Sequence, residues 1–155
     1  VSAAKEPLQG LRRHKLLPAE IRDHIPALYS QDGKGKDATV YLKLFCPYNG
    51  RMTLYVTEAS AIIDGDDGTV QQDISLADAF NPGNGYIGIN GERIKDIRFF
   101  GYMISPQGPD CDEFGYSSFN ELANVTVFGR VPAIERDCSF EVGKLTVAEC
   151  LEKHA

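Results

Sequence analysis

The sequence predicts an α+β domain: a mainly antiparallel β-sheet with N-terminal and C-terminal helices packed on one face of it. Three observations carry that prediction. Apolar and polar residues alternate through "TVYLKLF" and again through "MTLYVTEA", the period of two that a strand imposes, and the Asn-Gly of "PYNGR" between them is hairpin chemistry. Helical patterns stand at both ends of the chain. Nowhere do strands and helices alternate as regularly as a parallel sheet requires.

With 155 residues the chain is long enough to bury a core without metal or disulfide staples. Residues 1–15 are polar and lack periodicity, so they read as a flexible N-terminal arm. Residues 16–155 form a single α+β domain in which 64–96 is an elaboration. Pro18 suits a first helical position, with Ile21, Ile25 and Leu28 following at helical spacing; Pro26 tightens that helix and Asp32-Gly33 ends it. The hairpin comes next. Its first strand sets Val40, Leu42 and Leu44 against Thr39, Tyr41 and Lys43. Its second sets Leu54, Val56 and Glu58 against Thr53, Tyr55 and Thr57.

After a turn-rich edge at 62–70, "SLADAF" reads as a short helix capped by Ser75, and "NPGNGYIGINGER" as turns. "IKDIRFFGYMIS" resumes as a strand, "FGYS" is a short one, and "SFNELANV" is a helix opened by Ser118-x-x-Glu121. "AIERDCSFEV" is the last strand. "TVAECLEKH" is a terminal helix with a second capping box, Thr146-x-x-Glu149.

Composition narrows the function classes. Hydrophobic residues make up 43% and charged residues 25%, the balance of a soluble globular protein. A net charge of −6 argues against direct non-specific nucleic-acid binding, which needs a basic face to release counterions. No apolar run approaches the roughly 20 residues that span a bilayer, and the first residues lack the apolar core of a signal peptide, so a cytoplasmic location is expected. The four cysteines are widely spaced and none forms CxxC, so no metal site is expected. Reduced thiols are the simplest reading, although an even count leaves a disulfide open.

Several motifs lose their chemistry on inspection. Gly33-Lys34-Gly35-Lys36 resembles a phosphate loop, but it runs from a helix into a strand, the reverse of a P-loop, and Asp37 follows it where phosphate would be repelled. It reads as a strand entry with Asp37 anchoring the turn. "DGDDG" fails as a calcium loop, because the fifth and twelfth positions counted from Asp64 fall on Gly68 and Ser75. His14, His24 and His154 stand near no obvious nucleophile, and G-x-S-x-G is absent. No cofactor is implied.

The polar residues that remain are Asp37, Tyr41, Lys43, Tyr55, Glu58, Glu135, Arg136 and Asp137. Alternation through "AIERDCSF" puts Ile134, Arg136, Cys138 and Phe140 on one face and Glu135, Asp137 and Ser139 on the other. Arg136 is then on an apolar face and needs a carboxylate; Glu58, beside Leu54 and Val56, has the matching need. We therefore expect Glu58 and Arg136 to pair, either to fix strand register or as the floor of an anion-reading pocket. Tyr41, Lys43 and Tyr55, with Glu135 and Asp137, would share the opposite face, as a partner-binding patch or as the bed of a helix.

The ordered blocks G-x-G-x-D-A-x-x-Y-x-K-x-F (Gly33 to Phe45), T-x-Y-x-T-E (Thr53 to Glu58), F-G-Y with S-x-x-E-L (Ser118 to Leu122) and I-E-R-D (Ile134 to Asp137) resemble the bacterial DUF2958 family. The resemblance covers residues 16–58 and 99–140. It departs from the family at Leu54, where an aromatic is common, and in the longer segment 64–96. That family has no assigned reaction and is typical of plasmids, integrative elements and phages. The resemblance implies a small binding protein serving a mobile element, acting on a host or element-encoded protein, with counter-defence of the anti-restriction or anti-CRISPR kind as one form. The residues themselves leave a second reading open: an enzyme or ligand-binding domain for a phosphorylated or nucleotide-like small molecule, using the Tyr/Lys/Glu/Arg/Asp cluster.

Overall fold

The computed structural model describes residues 6, 8–12, 14–48, 51–65, 68–85 and 93–154. Its elements, in chain order, are α1 (Ala19–Arg22), β1 (Thr39–Val40), β2 (Leu42–Phe45), β3 (Thr53–Asp64), β4 (Val70–Ser75), α2 (Leu76–Ala79), β5 (Ile94–Ile104), β6 (Glu113–Ser118), α3 (Phe119–Asn124), β7 (Thr126–Val127), β8 (Val131–Pro132), β9 (Glu135–Arg136), β10 (Leu145–Thr146) and α4 (Val147–Lys153). The α+β class holds. One sheet dominates, in the order β6-β5-β3-β2-β9, with β4 also paired to β3 and every pairing antiparallel.

β3 is the centre. Thr53 through Ala61 are all buried, so both of its faces are covered. On the first face Leu42, Leu44, Leu54, Val56 and Phe99 form a cluster with residues from three overlying segments. These are Leu16, Leu17, Ile21 and Ile25 around α1, Leu76 and Ala79 in α2, and Phe119 and Ala123 in α3. Each fully buried aliphatic or aromatic side chain there is worth about 1.5–3 kcal/mol. On the second face Tyr55 and Ile104 pack with Val40, Val147 and Cys150. The terminal helices thus occupy opposite faces, α1 on the first and α4 on the second, rather than one face as expected. A central strand apolar on both sides needs a cover on both.

Side-chain alternation holds within β2 and through Tyr55 and Val56, and fails at two points. Val40 belongs to the second-face cluster while Leu42 and Leu44 belong to the first, because the chain breaks at Tyr41 between β1, which pairs with β10, and β2, which pairs with β3. Val56 opposes Gly101 but Glu58 opposes Phe100, so Thr57 is the extra residue of a β-bulge. Beyond it the first-face residues are Ala59, Ala61 and Ile63, and Glu58 is turned to the second face.

The described part of the segment read as an arm packs against the domain. Arg12 has a fully buried side chain that donates to Ile134 O (3.1 Å) and Ala123 O (2.6 Å) and pairs with Glu6 at 3.1 Å. The elaboration at 64–96 contributes β4, a hairpin partner of β3, and the buried Leu76 and Ala79 of α2, capped by Ser75 as expected. Asn49-Gly50, Asp66, Asp67 and residues 86–92 lie outside the described residues. The "AIERDCSFEV" strand shrinks to β9, two residues long. The box at Thr146 and Glu149 forms in both directions, and Ser118 caps α3 by accepting from Glu121 N.

Candidate functional site

Three of the nominated residues meet on the second face. Lys43 and Tyr55 are cross-strand partners in the β2–β3 ladder, which stands the ammonium 5.8 Å from the Tyr55 ring centroid. Beyond β9, Asp137 N donates to Lys43 O, bringing its carboxylate to 3.2 Å from Lys43 Nζ. Both side chains of that pair are 26% exposed, so it sits at a mouth rather than in the core. Ser139 completes the turn, its N–H and hydroxyl both donating to Asp137 Oδ1 (3.0 and 2.7 Å). Burial works against the Asp137 charge, but the hydrogen bonds from Ser139 and Lys43 outweigh it and hold the carboxyl below its ordinary range.

The other wall is α4. Val147, Cys150, Leu151 and His154 follow the i, i+3, i+4, i+7 spacing of a buried helical stripe, which swings His154 onto the sheet. Its Nδ1 lies 3.0 Å from the Tyr55 hydroxyl. Burial, with the nearby Lys43 and Arg51 charges, lowers the His154 pKa and favours the neutral imidazole. Burial pushes the Tyr55 phenol up to about 12, with Cys150 and Asp137 adding to the effect. Burial likewise raises the Cys150 thiol to about 11. Together with Lys153, Glu141 and Phe140 these groups line a cleft of about 200 Å³.

Behind it Arg51 grips Asp112 with two 2.7 Å bonds and donates from Nε to Ser105 O (2.9 Å). The Arg51 hydrogen bond, with another from Ser105 N, lowers the Asp112 pKa.

The remaining nominees go elsewhere. Tyr41 packs its ring on the first-face cluster and beside Gly143. Asp37 is exposed at the end of a single 3₁₀ turn (Gly35–Asp37), and Glu135 is half-buried opposite Phe45. The expected Glu58–Arg136 pair does not form. Arg136, opposite Leu44 on the first face, donates from Nε to Lys15 O at 2.7 Å. Glu58, 3% exposed, accepts from Tyr29 N at 3.0 Å and Gln31 N at 2.5 Å. The bulge at Thr57 accounts for the error: one extra residue moved the carboxylate through the sheet.

Sequence reasoning missed Ser139, Cys150, Lys153 and His154. The stripe spacing of the terminal helix was the available signal for the last. Among the described residues no group of three or more His, Cys, Asp or Glu is placed to hold a metal, and no helix is long and apolar enough to cross a membrane. Comparison with protein families, curated proteins and solved structures finds no match to this chain.

Proposed function

We propose that this chain is a binding module whose cleft beside α4 recognises a compact anionic group, a carboxylate or a phosphate. One observation carries the reading: Lys43 and Lys153 line a single cleft with the His154 ring, and neither candidate nucleophile there is activated. Cys150 keeps its proton at neutral pH, and Ser139 directs its own to Asp137 rather than to a histidine. What the cleft offers is charge and hydrogen bonds, which suits recognition.

The test is titration with sodium phosphate and sodium acetate at constant ionic strength, reading thermal midpoint and the resonances of Ser139 and His154. A ligand at tenfold excess over its Kd stabilises by about 1.4 kcal/mol. Lys153→Gln, on an exposed position, should abolish that rise with the basal midpoint unchanged. No shift with either anion refutes the reading.

A second reading is favoured by one observation outside the cleft. Phe128 is 82% exposed, holds φ at 55° in the β7–β8 turn, and meets the half-exposed Tyr48 edge to face at 5.7 Å. A bulky residue in that conformation costs on the order of 1–3 kcal/mol, and an exposed aromatic pair is the anchor that protein interfaces favour. This supports contact with a protein partner, as the mobile-element resemblance implies. Phe128→Gly should raise stability while losing capture of a host protein that the parent chain retains; undiminished capture refutes it.

A further inference from the structure

The second sheet face carries another feature that the cleft does not use. Across β5 and β6, Phe100 opposes Tyr116 and Tyr102 opposes Phe114. The four rings form a continuous row. Phe100 lies 5.0 Å from Tyr116 and 5.7 Å from Phe114, stacked nearly parallel to it at 9°, and Phe114 meets Tyr102 at 5.1 Å. Tyr116 is 53% exposed and the other three rings are half-buried, so their π faces are only partly covered.

Cations stand at both ends of the row. Lys36 Nζ is 5.4 Å from the Tyr102 centroid and the Arg98 guanidinium 5.5 Å from that of Tyr116. A cavity of about 400 Å³ opens beside Phe100 and Phe114, lined also by Gln31, Asp32, Gly33 and Gly35 and by Thr57 and Glu58 of β3. The 31–35 segment is fixed by the Glu58 bonds to Tyr29 N and Gln31 N, and by the Gln31 side chain spanning Thr39 and Thr57. Asp32 adds a carboxylate acceptor to the lining. The glycine-lysine stretch is therefore no P-loop, yet it stands Lys36 over the ring at one end of the aromatic row.

We propose that this platform binds a free mononucleotide, with the base against the Phe100 and Phe114 rings, where Asp32 can accept from it, and the phosphate drawn to Lys36 beside Tyr102. The reasons are shape and charge. Every nucleobase presents a π face that a protein ring can stack on, whatever its sequence identity. The cavity lies in the range that holds one small ligand. The flanking cations suit a phosphate, whereas a net charge of −6 opposes a long polyanion, which favours one nucleotide over a strand.

The experiment is ligand-observed NMR and calorimetry with AMP, GMP, CMP and UMP. Controls are adenosine, which lacks phosphate, ribose 5-phosphate, which lacks a base, and a short single-stranded oligonucleotide. Base protons of the nucleotides should move upfield by ring current, adenosine should bind more weakly than AMP, and ribose 5-phosphate should not bind. Phe114→Leu should weaken AMP about tenfold, the loss that removing a stacking ring brings. Lys36→Gln should weaken AMP but leave adenosine unchanged. The upfield shift is read on the parent protein, so it stands even if Phe114→Leu folds poorly. Lys153→Gln, in the other cleft, should leave nucleotide binding intact, which separates this proposal from the anion-binding one. Absence of binding by all four nucleotides at millimolar concentration overturns the proposal. So does ribose 5-phosphate binding as well as AMP, or the oligonucleotide binding tighter than AMP by more than its number of bases.

Discussion

Glu58→Gln should destabilise the protein severely, and without reference to Arg136. The carboxylate is 3% exposed and each oxygen accepts one backbone N–H, from Tyr29 and from Gln31. Those bonds hold a chain segment whose Tyr29 sits at φ 74°, a conformation unfavourable for a side chain of that size. Glutamine keeps one acceptor and turns an NH₂ group toward the other N–H. One charge-assisted bond is lost and a buried donor is left without an acceptor, about 2–4 kcal/mol in total. Arg136→Met removes a single exposed bond to Lys15 O, a loss of no more than about 0.5–1.5 kcal/mol. The two side chains lie on opposite faces of the sheet and share no partner, so the double variant should equal the sum of the singles within about 0.5 kcal/mol. Urea unfolding of the four proteins, with unchanged slope, measures this cycle. A coupling above about 1 kcal/mol would reinstate the pair and refute the bulge argument; a neutral Glu58→Gln would refute the clamp.

Gly101→Ala should be the most damaging small substitution, because its Cβ would stand 2.1 Å from Tyr55 O and 2.9 Å from Val56 Cα in the central strand pair; soluble expression at parental yield would contradict this. The lowered His154 pKa means that the unfolded chain takes up that proton first. Its contribution is therefore complete above about pH 6.5 and is lost as pH falls through the folded value, a limb that His154→Gln should flatten in pH-dependent thermal melts. Tyr55, raised to about 12, and Cys150, raised to about 11, act in the opposite sense. Their stabilisation is present below their ordinary values near 10 and 9 and disappears as pH climbs to the folded ones, so alkaline unfolding should set in earlier for the parent than for Tyr55→Phe. A thiol reagent should label the exposed Cys111 and Cys138 quickly and reach the buried Cys46 and Cys150 only on unfolding; four equal rates would contradict the packing.

Much of this layout was legible because strands impose parity. Lys43 with Tyr55, Glu135 with Asp137, and Arg136 opposite them all follow from alternation within unbroken stretches. The errors lie where one residue breaks the count. Neither the break at Tyr41 nor the bulge at Thr57 has a glycine or proline to announce it, and each reverses every assignment downstream. The need for a buried arginine with a carboxylate was real but was assigned to the wrong residues. It is met by Arg12 and Glu6, in a segment whose polar composition suggested an arm. Polarity there reflects hydrogen bonds to Ala123 and Ile134 carbonyls, which composition cannot distinguish from hydration. His154 falls on the apolar stripe of the terminal helix, but spacing alone does not show which sheet residue that stripe meets.

Why both candidate sites lie on the second face follows from how the two faces are covered. The first is overlaid by three separate segments and filled with aliphatic residues. The second receives mainly α4, whose seven residues extend about 10 Å, against a β5 of eleven residues extending about 36 Å. One short helix leaves sheet surface on either side. The sequence places there residues that tolerate partial exposure: Tyr102 and Tyr116 carry polar tips, and Phe100 and Phe114 sit between cations. A face meant only to be buried would be served better by Val, Ile and Leu, as the first face is. Aromatic rings bordered by Lys36 and Arg98 give up little by remaining half-open, and on the proposal above their flat, polarisable surface serves a ligand.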